Sequence, residues 1–162
     1  MQQIIPSLWF DDRAEEAMNY YVNAIPNSRI VDIKRYPEGM TEGPMAGMGG
    51  KVLNGQFVLN GQPFTCLDGG PIFTFNESIS FMLMCDDQNE VDRIWAALSA
   101  VPESEQCGWC KDQFGLSWQV IPTRMGELLS DPDPVASGRA LQAMLQMKKI
   151  DVAALEAAFR GE

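Results

Sequence analysis

Ile4-Ile5-Pro6-Ser7-Leu8-Trp9-Phe10-Asp11-Asp12-Arg13-Ala14-Glu15 is answered 75 positions on by Ile79-Ser80-Phe81-Met82-Leu83-Met84-Cys85-Asp86-Asp87-Gln88-Asn89-Glu90. Each stretch is a short apolar, strand-like run that ends in two aspartates. In each, a glutamate follows the second aspartate at capping-box spacing, where a helix would begin. A strand, an acidic cap and a helix recurring at a fixed lag predict a duplicated module.

The flanking pattern fills in each module. Ala14, Ala17, Met18, Tyr21 and Ile25 recur at helical spacing, and Pro26-Asn27-Ser28 ends that helix. Arg29 to Tyr36 reads as a strand rich in β-branched residues. Residues 37–50 hold five glycines, two prolines and three methionines, the composition of a mobile loop. Asn60-Gly61 predicts a type I′ hairpin between strands near 51–59 and 62–68, and Asn54-Gly55 then marks a bulge or irregularity. In the second half, Val91, Ile94, Trp95 and Leu98 share one helix face, and strands fit 105–111 and 117–122. The tail differs. Asp131-Pro132-Asp133-Pro134 introduces a helix to about Lys148 with Leu141, Met144 and Leu145 inward; Asp151 caps a last helix carrying Val152, Leu155 and Phe159. These apolar residues must dock on their own chain or on a partner, which predicts a homodimer with the tail at its interface.

Composition narrows the function. The chain has 162 residues, 46% of them hydrophobic, enough to fill a core. Its 22 acidic and 12 basic residues give a net charge of −10, which repels phosphate backbones and argues against nucleic acid as a partner. The same field attracts cations, or serves only as a solvated surface. No apolar run is long enough to span a membrane and no signal-peptide pattern opens the sequence, so a cytoplasmic protein is expected. Cys66, Cys85, Cys107 and Cys110 then read as thiols. The chain has no histidine, which excludes Ser-His-Asp and Cys-His nucleophile pairs and every His-ligated metal site.

Gln106-Cys107-Gly108-Trp109-Cys110-Lys111-Asp112-Gln113-Phe114-Gly115-Leu116-Ser117-Trp118-Gln119-Val120-Ile121-Pro122 resembles a motif of the PhnB-like proteins. Pro6 to Asp11, Ala14 to Ala17 and Tyr20-Tyr21 resemble the opening of that family, and Asp131 to Pro134 and Met144 to Asp151 its tail. These proteins are similar to the glyoxalase/bleomycin-resistance/dioxygenase, or vicinal-oxygen-chelate, superfamily. The resemblance implies an α+β fold: two βαβββ modules, about 1–70 and 71–125, each a curved sheet around a cavity, and a C-terminal helical appendage, about 126–162. Metal-bearing relatives place ligands on the first and last strands of each module. Those positions fall on Ile5 or Pro6, near Cys66, on Ser80 and on Gln119. Isoleucine, proline and serine do not hold a divalent cation at such a site, so no metal and no cofactor are expected.

The cavity-facing position implied on the last strand is Gln119, with Ser117 and Ile121 on its face and Trp118 packed beneath a helix. By parity Ser80, Met82 and Met84 face the same way, and Ser7 and Trp9 line the other cavity; Trp9 as simple core is the alternative. The ligand-binding candidates are therefore Ser7, Trp9, Cys66, Ser80, Met82 and Gln119, with no catalytic residue assigned. Methionine and aromatic linings suit an apolar or flat ligand. Asp68, Glu77 and Asp112 stand near plausible rims, or serve as turn and cap residues. Cys107-Gly108-Trp109-Cys110 is a C-x-x-C within a strand-like run, where packing rather than redox chemistry is expected.

Three functions follow. The first is a metal-free small-molecule-binding protein. The second is an enzyme on a small organic substrate, working through carboxylates or Cys66. The third is the demethylubiquinone methyltransferase whose label this group has also carried. The chain lacks the Gly-rich strand-to-helix turn of a doubly wound nucleotide fold, which weighs against the third.

Overall fold

The computed structural model describes residues 3–39 and 41–162; Met40, part of the expected 37–50 loop, lies outside the described residues, as do Met1 and Gln2. The chain divides into two compact units, Met1–Thr74 and Phe75–Glu162.

In the first unit β1 (Ser7–Phe10), α1 (Ala14–Ala24), β2 (Arg29–Arg35), β3 (Val52–Leu59) and β4 (Gln62–Asp68) form a βαβββ module. Its sheet runs β1-β4-β3-β2, with β1 parallel to β4 and the rest antiparallel. The β3–β4 hairpin turns at Asn60 and Gly61, whose φ angles of 44° and 84° are those of the type I′ turn expected from the sequence. The irregularity expected at Asn54-Gly55 is a register shift against β2, between Lys34 and Arg35, which leaves Leu53 unpaired. Gly55 itself serves packing: a Cβ there would lie 2.6 Å from the Met18 sulfur and 2.8 Å from the Cys66 sulfur. The helix side of this sheet buries Leu8, Phe10, Phe57, Leu59, Phe64 and Cys66 against Ala14, Ala17, Met18 and Tyr21.

The second unit holds β5 (Ser80–Cys85), α2 (Gln88–Leu98), β6 (Trp109–Lys111) and β7 (Ser117–Pro122). Its sheet is β5-β7-β6, again with the outer first strand parallel to the last. This module is βαβββ-like. Where the first has β2, the second has a short 3-10 turn at Pro102–Ser104, and the chain beside β6 is met by the tail: Cys107 N–H donates to Met147 O and Gly108 N–H to Lys148 O. Those bonds satisfy edge groups that a fourth strand would otherwise pair.

The appendage is three helices: α3 (Thr123–Leu129), α4 (Pro134–Met144) and α5 (Val152–Arg160). Leu128, Ala140, Ile150 and Leu155 form its buried cluster, with Met144 and Phe159 packed against it. Asp133 and Asp151 cap α4 and α5 as their spacing predicts. The expected inward stripe of α4 is corrected. Leu141 and Leu145 are 41% and 43% exposed, and the buried positions are Ala136 and Ala140, whose small side chains let neighbouring helices approach closely. Among the described residues no helix is long and apolar enough to cross a membrane.

Candidate functional site

Pairing register decides which side chains share a face. In the second sheet Met82 lies opposite Gln119, and Gln119 opposite Trp109. Ser80 lies opposite Ser117, and Ser117 opposite Lys111. These residues form the face turned away from α2. The other face carries Cys85, Cys110, Trp118 and Val120, buried together with Val91, Ile94, Trp95 and Leu98 of α2. Trp118 thus packs beneath the helix as expected, and its indole donates to the buried carboxylate of Asp112 at 2.8 Å.

The outward face is only partly filled. Met82 and Met84 are 54% and 52% exposed, and Gln119 and Trp109 are half-buried. The Gln119 amide donates to Ser80 Oγ at 2.8 Å, so the two polar candidates meet, 39 residues apart in sequence. At the Ser117 end Lys111 Nζ is ion-paired with Glu77, and this hydrogen bond holds the Glu77 carboxyl below the usual range. Ser117 Oγ is buried and has no hydrogen-bond partner among the described residues. Lys111 and Trp109 were not picked out from the sequence. Counting back through the tight Asp112–Gly115 turn, which pairs Lys111 with Ser117, would have found them.

In the first sheet Ser7 and Trp9 lie on the face turned away from α1. Ser7 Oγ accepts from Thr65 Oγ1 at 3.0 Å. The Trp9 indole donates to Gly70 O at 2.9 Å and meets the edge of Phe73 at 5.0 Å. Gly69 permits this closure, since a Cβ there would fall 2.1 Å from the Trp9 ring. Trp9 is therefore half-buried and held from behind by the segment after β4.

Cys66 stands elsewhere and corrects the sequence expectation. It sits on the helix side of the first sheet, against Gly55, 1% exposed, and burial pushes its thiol up to about 12. Burial raises Cys85 and Cys110 to about 12 as well. Neutral thiols of this kind are poor nucleophiles. Cys107 occupies the corner of a tight turn, φ 50°, rather than a helix N-terminus.

Two rim carboxylates are structural. Asp68 accepts from Ala14 N and Val52 N, and Asp112 from Phe114 N, Leu116 N and Trp118 Nε1. Both are nearly fully buried. A shallow depression of about 560 Å³ on α4 and α5 contains Arg139, whose guanidinium is spent on the carbonyls of Ala158 and Phe159 at the end of α5.

The residues present do not fit the metal of the metal-bearing relatives. Ser80 and Gln119 are bonded to each other, Cys66 lies on the wrong face, and Ile5 offers no donor. Among the described residues no group of three or more Cys, Asp or Glu side chains could hold a metal ion.

Residues 2–121 match the family described as 3-demethylubiquinone-9 3-methyltransferase. The chain belongs to that family. The matched span ends at Ile121, so α3, α4 and α5 lie beyond it. A solved structure from Bacillus cereus, described as "Putative 3-demethylubiquinone-9 3-methyltransferase, PhnB protein", is 36% identical, with a TM-score of 0.63 over 75% of this chain and all of that one. Protein PA1353 from Pseudomonas aeruginosa shares the fold at 22% identity, with a TM-score of 0.57 over 75% of this chain and 98% of its own. The family is thus PhnB-like, of the vicinal-oxygen-chelate superfamily that the sequence resembles. No curated protein matches the chain.

Proposed function

We propose that the protein binds a small organic molecule on the outward face of the second sheet, without a bound metal. One observation carries this reading. The Ser80–Gln119 hydrogen bond is flanked by Met82 and Met84, large apolar side chains that the fold leaves exposed, and by the half-buried Trp109. A few placed polar groups among apolar ones is the make-up of a ligand site. Ser7 and Trp9 give the first sheet a similar but more closed face.

Methyl transfer, named by the family description, is the alternative. Nothing in the geometry favours it: sheets ordered β1-β4-β3-β2 and β5-β7-β6 with antiparallel neighbours are not a doubly wound cofactor fold. Enzymatic action on a small substrate remains compatible with the binding reading, through groups other than Cys66.

Thermal-shift screening of apolar and aromatic compounds tests the proposal, with elemental analysis beside it. Hits that Gln119→Leu weakens, in protein free of stoichiometric metal, support it. Hits indifferent to Gln119 and Ser80, or one equivalent of metal per chain lost in Gln119→Ala, overturn it. We further propose a cytoplasmic homodimer with the tail at its interface. Light scattering on the full chain and on one ending at Ser130 tests the assembly, and two equally stable monomers would refute it.

A further inference from the structure

The proposed site has a polar end whose chemistry narrows the ligand, an inference that rests on the binding reading above. Three side chains cross the second sheet in one row: Ser80 on β5, Ser117 on β7 and Lys111 on β6. Ser117 is 2% exposed, and its hydroxyl has no partner among the described residues. Buried hydroxyls are almost always hydrogen-bonded, so this one keeps a donor to offer a bound group. Its neighbours in the row are a hydroxyl and an ammonium.

The ammonium already holds a carboxylate. Glu77, on the segment before β5, is ion-paired to Lys111, whose side chain is 21% exposed while that of Glu77 is 63% exposed. An ion pair with one member so exposed contributes little, so another carboxylate can displace it. We propose that the Ser80–Ser117–Lys111 row is an oxyanion subsite. It takes the carboxylate of a small aromatic acid whose ring lies on Met82, Met84 and Trp109, and Glu77 occupies the anion position in the free protein. The sulfurs of Met82 and Met84 suit an aromatic body. With a net charge of −10, anion binding needs a local cation, and β6 supplies Lys111 on this face.

Calorimetry with 2-naphthoate and its neutral counterpart 2-naphthylmethanol tests the subsite. The acid is expected to bind about tenfold or more tightly than the alcohol, equivalent to about 1.4 kcal/mol. Lys111→Met removes that preference. Glu77→Gln, an exposed change that leaves the fold intact, tightens the acid several-fold and leaves the alcohol unchanged. Ser117→Ala weakens the acid without lowering the thermal midpoint of the free protein, because it deletes an unpaired buried group. Equal binding of acid and alcohol, untouched by Lys111→Met, overturns the oxyanion subsite while the binding face stands. Failure of Glu77→Gln to tighten the acid overturns the role of Glu77. If neither compound binds, the face itself is wrong.

Discussion

The two acidic doublets that reveal the repeat do different work in the two modules. In the second, Asp87 caps α2: its carboxylate accepts from Glu90 N, and Glu90 in return accepts from Asp86 N. In the first, neither Asp11 nor Asp12 caps α1, which starts after Arg13 with no side-chain cap of its own. Asp68, from the end of β4, reaches the Ala14 N–H instead. Register explains the difference. Phe10 lies opposite Asp68 and Cys85 opposite Pro122, so proline stands in the second module where the first has its buried carboxylate. Proline offers no acceptor side chain, and there the local cap does the work. In the first module the local acids turn outward, Asp12 to Lys51 and Glu15 to Arg35. One sequence motif thus encodes the same helix start through two hydrogen-bond networks.

Deleting the distant cap should have the largest effect. Asp68→Ala leaves two buried N–H groups without their carboxylate and is expected to cost about 3 kcal/mol or more, at about 1.5–3 kcal/mol per charged hydrogen bond. Urea unfolding measures it, and a loss no greater than that of an ordinary cap would break the comparison. Ile150→Ala probes the other asymmetry, the tail standing where β2 has no counterpart. Ile150 is fully buried, close to where a Gly108 Cβ would stand, and its truncation is expected to cost about 2–5 kcal/mol. Gly55→Ala forces Met18 aside and should cost about 1–3 kcal/mol. Local caps come next: Asp87→Ala is expected to cost about 1 kcal/mol, and Asp12→Ala close to nothing, its ion pair being exposed. Equal losses for Asp12 and Asp87 would mean that α1 uses its local cap after all.

The helix sides of the two modules agree where the caps differ, and thiol chemistry checks it. Iodoacetamide at pH 8 should label the folded chain once, at Cys107, and four times after unfolding, because Cys66, Cys85 and Cys110 are buried. Their thiols are raised to about 12, so they stay protonated in the folded chain while an unfolded chain ionises them above about pH 8.5. Stability from this source is complete below that pH and is lost as pH climbs toward 12. Unfolding at pH 7 and pH 10 measures the fall. A flat profile would place those thiols in water.

Local chemistry determined a large part of this protein without help. Period-2 and helical spacing, Asn60-Gly61 and the aspartates before α2, α4 and α5 fixed strands, helices and a hairpin, because each signal acts within a few residues. Parity also brought Ser80, Met82 and Gln119 to one face. What the sequence alone left open depends on partners far along the chain. On paper Asp12 is the cap of α1, and only strand register brings Asp68 to the α1 N-terminus instead. Leu141 is as apolar as Leu155, yet close helix approach buries Ala140 instead and leaves Leu141 in solvent. Cys66 was one position from an open face, and a one-residue step in a strand reverses the side on which a group lies. Lys111, Glu77 and the unpaired Ser117 hydroxyl become a group only when three strands and a preceding loop are laid side by side, since spacing along the chain carries no information about which neighbours a sheet will choose.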